Sequence, residues 1–162
     1  MITMVNGESM QKDDCIFCKI IRGEIPCIKI WEDKDFLAVL DLNPNTEGMT
    51  LLLTKNHYDS YVFDMPDPVY KKFFLASKKL AKLMEQGLGV HRVALVMEGM
   101  GINHAHIKLY PLHGLEEKFK ETWAKERAYF ENYPGFISTQ LGPQKTNAEL
   151  EKVAEKIRKN IK

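Results

Sequence analysis

The chain has almost no net charge: 23 Lys and Arg stand against 22 Asp and Glu, leaving +1. A balance of that kind generates no long-range field toward polyanions, so neither nucleic acid nor an anionic membrane is an expected partner. No stretch approaches the roughly 18 apolar residues needed to cross a bilayer. The opening MITMVNGESMQKDD has no basic region followed by an apolar one, so no secretory signal is read there and a cytoplasmic location is expected. Cysteine is scarce as well. Cys15, Cys18 and Cys27 form an odd set, which argues against a disulfide framework and for metal or redox chemistry. Internal repeats and low-complexity tracts are absent. What remains is a 162-residue chain that is 44% hydrophobic and 28% charged, the size and composition of one globular domain with a modest extension.

Residues 1–12 are polar and aperiodic and read as a disordered leader. Residues 13–114 carry the alternations of a folded domain, and 115–162 read as a C-terminal extension with two helices, packed on the same domain or on a second copy. Ile28 to Trp31 and Phe36 to Leu40 flank a turn-like Glu32-Asp33-Lys34-Asp35 and predict a hairpin, with Met49 to Thr54 as a third strand. Asp67-Pro68 opens a long helix with Val69, Phe73, Leu80, Leu83 and Met84 on one stripe, ending near Gly87 and Gly89. Arg92 to Met97 and Asn103 to Tyr110 are two further strands. Phe119, Trp123 and Phe130 are spaced for a second amphipathic helix. Thr146 with Glu149 makes a capping box before a terminal helix that includes Leu150, Val153, Ala154, Ile157 and Ile161.

Two segments carry chemistry. In Asn103-His104-Ala105-His106-Ile107-Lys108-Leu109-Tyr110-Pro111, strand alternation sends Ala105, Ile107 and Leu109 inward and aligns His104, His106 and Lys108 opposite. Two imidazoles and an ammonium on one face are suited to an anionic phosphate, and equally describe a solvated polar face. Cys15-Ile16-Phe17-Cys18 is half of a zinc site by spacing, with His57, His91, His104, His106 and His113 as partners to choose among. A redox pair is the rival, disfavoured by Asp13 and Asp14 just upstream; two inert cysteines are the third reading.

Cys15-x-x-Cys18, Gly23-Glu24-Ile25-Pro26, Phe36 to Asp41, Leu53-Thr54-Lys55-Asn56-His57 and His104 to Pro111 follow in an order that resembles the histidine-triad (HIT) superfamily, from about Asp13 to Pro111. The resemblance implies an α+β fold, a five-stranded antiparallel sheet with a long central helix. It implies a nucleotidyl hydrolase or transferase acting on a nucleotide conjugate, in which His106 attacks the α-phosphorus to form a nucleotidyl-histidine. It also implies a structural Zn2+ held by Cys15, Cys18, His57 and His104. By the same resemblance Asp41 is placed to receive the ribose hydroxyls, with turn capping as its alternative role. Ile16, Phe17, Ile20 and Leu40 would then wall the base, or simply belong to the core. A homodimer paired through the long helix is implied too, and adjacent Phe73 and Phe74 cannot both lie centrally on one narrow apolar stripe.

Two departures from the family pattern stand out. Lys108 replaces the third histidine, and the loop Met97 to Asn103 is short, with Met97 where a phosphate-binding Asn is usual. The Asn103 and Gly101 backbone amides are expected to substitute in part for the missing donors, and Gln140 or a neighbour in Ser138-Thr139-Gln140 is a further candidate. These departures leave a nucleotide-binding or phosphate-ligand module with little or no turnover as the alternative function.

Overall fold

The structure, a computed structural model, describes residues 11–139 and 141–158. Its helices are α1 (Ile16–Ile21), α2 (Asp67–Leu88) and α3 (Asn147–Arg158), and its strands are β1 (Lys29–Glu32), β2 (Phe36–Leu40), β3 (Thr50–Thr54), β4 (Val93–Val96) and β5 (His106–Pro111). The strands form one antiparallel sheet in the order β1-β2-β3-β5-β4. The α+β architecture expected from the sequence is the one observed.

Period-2 alternation divides the sheet's side chains between two apolar layers. Phe36, Ala38, Leu52, Ile107 and Leu109 face α2 and pack with Phe73, Ala76, Leu80 and Met84. Leu37, Val39, Leu51 and Leu53 point to the other face, where Phe17 of α1 and Met49 cover them. With both faces covered, β2 (FLAVL) and β3 (TLLLT) can be apolar almost without interruption, since no residue of these strands needs to meet water on one side. The Asp33 carboxylate accepts the Asp35 and Phe36 amides at 2.8 Å, closing the turn between β1 and β2.

α2 buries a stripe at helical spacing, with Phe73 stacked on Phe36 at 5.3 Å between ring centroids. Leu83, expected on that stripe, is 42% exposed. The helix stops where Gly89 takes φ +65°, a left-handed cap that a side chain disfavours.

Three expectations need correction. The strand expected from Asn103 begins only at His106. Upstream, the His104 amide donates to the Ile102 carbonyl and the Ala105 amide to the Tyr58 carbonyl, both at 2.8 Å, which turns the chain out of the ladder. His104 and His106 are buried, so the polar row is no solvated face. The helix expected over Phe119, Trp123 and Phe130 does not form: among the described residues the extension holds the single helix α3. Those three aromatics are exposed, and a short helix with no surface to bury its stripe is marginal in water.

The described residues fall into two compact units divided between Phe119 and Lys120. In the second, Phe130 and Phe136 meet edge to face at 5.4 Å. The expected capping box is present: the Glu149 carboxylate accepts the Thr146 amide at 2.8 Å and the Glu149 amide donates to the Thr146 hydroxyl. Residues 1–10, Gln140 and Ile161, on which expectations also fall, lie outside the described residues.

Phe73 is wholly buried. Phe73→Ala removes its stack on Phe36 and leaves a cavity under the sheet, so denaturant unfolding is expected to show a loss of roughly 3–5 kcal/mol.

Candidate functional site

Antiparallel pairing of β3 with β5 sets Leu53 opposite His106, so the exit of β3 and the entry of β5 lie side by side. His57, three residues past β3, and His104, two before β5, therefore share one end of the sheet. Cys15 caps the start of α1 and Cys18 lies in its first turn, three residues on, which turns both thiols to the same side. The result is one cluster: the ligating atoms of Cys15, Cys18, His57 and His104 all lie within 4.8 Å of one another. Cys15 Sγ is 3.4 Å from His104 Nδ1, and Cys18 Sγ is 3.4 Å from His57 Nδ1 and 3.5 Å from His104 Nδ1. Two thiols and two imidazoles at these separations match the corners of a tetrahedral Cys2His2 centre, and the cluster is able to bind a metal ion.

The surroundings prepare the donors. His104 Nε2 donates to the Thr54 carbonyl at 2.8 Å, which fixes the tautomer and leaves the Nδ1 lone pair facing the thiols. His104 is fully buried, and burial pushes its pKa down to about 4, so the ring is neutral at pH 7. Burial lowers His57 as well. Its Nε2 lies 3.5 Å from an Asp59 carboxylate oxygen, without hydrogen-bond alignment. Asp59 is itself gripped by Lys12 Nζ at 3.1 Å and by the Asn103 side-chain amide at 3.2 Å. Burial raises the Cys18 thiol. Of the other histidines, His113 Nε2 is engaged with the Glu47 carbonyl, and His91 is exposed.

His106 opens β5 on the face it shares with Lys108. Its Nδ1–H donates to the His104 carbonyl at 2.6 Å, and its ring meets Phe17 edge-on at 5.1 Å. Burial first, and then the Lys108 charge, lower its pKa, while Glu98 and Asp41 act in the opposite sense. The neutral ring, with Nδ1 occupied, keeps its lone pair on Nε2. That is the form and the atom a nucleophilic imidazole requires.

The remaining site candidates divide. Lys108 stands opposite Leu51 and Val96 in the ladder, with Nζ 3.7 Å from a Glu98 carboxylate oxygen. Phe17 is buried and Ile20 half-buried in the apolar layer beneath His106, and Leu40 lies half-buried at the end of β2. Asp41 Oδ1 accepts the Asn43 amide at 2.8 Å, so its turn-capping role is realised. The Asn103 side-chain oxygen Oδ1 accepts the Ser60 amide and hydroxyl at 2.8 and 3.1 Å, a tie between two loops. Gly101 and Asn103 line a cavity of about 330 Å³ together with Lys12, Asp14, Cys15 and His57, on the side of the Cys/His cluster; His106 and Lys108 do not line it. Thr54, Asp59, Ser60 and Glu98 were not singled out from sequence. Each acts through a partner distant along the chain, and no local spacing marks them.

A family model described as the HIT domain matches residues 22–114, more than half of the chain, and the chain belongs to the HIT family. The adenosine 5'-monophosphoramidase HNT1 of Saccharomyces cerevisiae is 32% identical to it over 123 residues, 72% of this chain and 74% of that one. The crystal structure of a HIT family member from Bacillus subtilis superposes with a TM-score of 0.64 at 26% identity, covering 93% of this chain and 99% of that one. A Zn-bound histidine triad family protein from Mycobacterium smegmatis does so with a TM-score of 0.56 at 28% identity, covering 67% and 83%. The family thus includes an adenosine 5'-monophosphoramidase and at least one zinc-bound member.

The depressed His104 pKa has a consequence for metal-free protein. Its folded value, about 4, lies below the roughly 6.5 of an unfolded histidine, so between those pH values the unfolded chain binds the extra proton. The contribution is complete above about pH 6.5 and is lost as pH falls toward 4. Urea unfolding of metal-stripped protein across this window is expected to show a decline on the order of 3 kcal/mol from this group.

Proposed function

We propose that the protein is a nucleotidyl hydrolase or transferase acting on a nucleotide conjugate of the nucleoside phosphoramidate or dinucleoside polyphosphate type, with His106 as nucleophile. The observation that carries this reading is the 2.6 Å hydrogen bond from His106 Nδ1 to the His104 carbonyl, which leaves Nε2 of a buried, neutral imidazole to react. Kinship with a monophosphoramidase of yeast supports the substrate class.

In this reading Nε2 forms a bond to the α-phosphorus and the bond to the leaving group breaks, its electron pair going to the leaving nitrogen or oxygen. Water then cleaves the nucleotidyl-histidine, releasing a mononucleotide and restoring the imidazole. Lys108 holds the phosphate by charge. It is placed to bind and not to relay a proton, so the leaving group takes its proton from water. The backbone amides of Gly101 and Asn103 are additional phosphate donors, Asp41 receives the ribose hydroxyls through the oxygen its turn leaves over, and Phe17, Ile20 and Leu40 flank the base. Lys108 in place of the third histidine and the short Met97 to Asn103 loop favour a second reading, a nucleotide-binding module that turns its ligand over slowly or not at all.

The Cys2His2 cluster fits a structural Zn2+ held by Cys15, Cys18, His57 and His104. When bound, the ion cross-links α1 to the ends of β3 and β5 and leaves no ligand position for catalysis. The protein is proposed to act as a cytoplasmic homodimer paired through α2, where half-buried Phe74 neighbours buried Phe73. No nucleic acid or membrane partner enters this reading. Among the described residues no helix is long and apolar enough to cross a membrane.

His106→Gln keeps hydrogen-bonding capacity but not nucleophilicity. It is expected to bind AMP within about threefold of wild type while its turnover of adenosine 5'-phosphoramidate falls by at least about 10³. Equal turnover in the two proteins excludes His106 as nucleophile, and no turnover in either leaves the binding module ahead. Native mass spectrometry is expected to give a particle of two chains and two zinc ions; a single chain without metal contradicts both assignments.

A further inference from the structure

The position two residues beyond His106 on the same strand face holds a permanent cation, and the chain supplies it with a counter-charge. Lys108 Nζ lies 3.7 Å from Glu98 Oε2, with the side chains only 27% and 13% exposed. Glu98 comes two residues after Val96, the β4 partner of Lys108 in the ladder, so the carboxylate reaches the ammonium from the neighbouring strand's exit. Its backbone has little freedom. Gly99, at φ +70°, packs so closely on the 59–60 loop that a Cβ there would meet Ser60 Cβ at 2.7 Å and the Ser60 carbonyl oxygen at 2.9 Å. Four residues further on, Asn103 grips the same Ser60 through its amide and hydroxyl. The short loop is thus sewn to Ser60 at both ends, with Glu98 adjoining the first stitch.

A partly sheltered ion pair at 3.7 Å is looser than a hydrogen bond. The ammonium reaches a phosphate oxygen only against the pull of the carboxylate it leaves, so the net attraction that Lys108 offers an anion is reduced. We propose that Glu98 is a positioning and specificity-determining residue: it holds Lys108 beside His106 and offsets its charge, so that the site selects ligands by the amount of negative charge they carry. Phosphates of low charge at the reacting centre are accepted, and more highly charged ones are penalised. The inference rests on the nucleotide reading above for its choice of AMP as probe, and on the ion pair alone for its account of anion binding.

The test is a binding series by calorimetry with AMP, ADP, inorganic phosphate and adenosine. Glu98→Gln, which keeps size and removes charge, is expected to tighten AMP and phosphate by roughly fivefold and ADP by more, with adenosine unchanged. Glu98→Asp, retaining the charge, is expected to return AMP affinity toward wild type. In a Lys108→Met background the Glu98→Gln gain should vanish, which identifies the lysine as the group through which Glu98 acts. Glu98→Ala gives the same comparison should Glu98→Gln not fold. Unchanged phosphate and AMP affinities, or a gain that survives Lys108→Met, overturn the proposal. Phosphate binding that responds to Glu98 without any AMP or adenosine binding overturns the nucleotide reading and leaves this one standing. Absence of phosphate and AMP binding in every variant overturns both.

Discussion

Three of the polar groups of His104 tie the site together. Its Nε2–H is taken by the Thr54 carbonyl, its Nδ1 faces the two cysteines, and its backbone carbonyl receives the Nδ1–H of His106. A fully buried imidazole left unpaired on any of these sides would carry a desolvation cost of 1–3 kcal/mol or so. All three are engaged, so ring and backbone are held in one pose. The metal-ligating geometry and the tautomer of the proposed nucleophile are therefore set by the same residue. A displacement of His104 disturbs both at once, although the cluster and His106 Nε2 have separate chemical roles.

Charge around His106 follows from the same confinement. Burial makes the ring neutral, the Lys108 ammonium adds to that effect, and Glu98 with Asp41 counters it. The Lys108–Glu98 pair introduces a strong cation without leaving it uncompensated in a sheltered place, which would be costly. Histidine at position 108 would bring a group that titrates near neutrality. Lysine brings fixed charge, and the carboxylate across from it restores balance by electrostatics where a histidine would do so by losing its proton.

Much of this was legible in the sequence, for identifiable reasons. The apolar runs Phe36 to Leu40 and Thr50 to Thr54 announce buried strands, and the Thr146/Glu149 pair announces a helix start because capping is local chemistry. The Cys15-x-x-Cys18 spacing narrows the metal half-site, but spacing alone leaves five histidines open; family resemblance picks His57 and His104, and the β3–β5 register is the physical reason they meet the cysteines. Helix α1 was missed, since six residues with no capping side chain and no acidic first turn leave no signal. The helix across Phe119, Trp123 and Phe130 was expected wrongly, because periodicity reports what a segment could bury and not whether a surface exists to receive it. Glu98, Asp59 and Ser60 were invisible for a different reason: their partners lie 10 to 50 or so positions away along the chain, and only packing brings them into reach.

The strand order carries a consequence for how the molecule comes into being. β1, β2 and β3 are joined in succession by short connections, and the loops they close are entropically cheap. β5 must find β3 across the whole of α2 and β4, with Leu53 meeting His106 over more than fifty residues. Long-range pairings of this kind are the slow part of folding. Until that pairing closes, the chain has neither the four-residue cluster nor an oriented His106. Completion of the sheet thereby comes first: a chain emerging from synthesis, or one whose central sheet has opened, holds no half-built site at which the proposed reaction could begin.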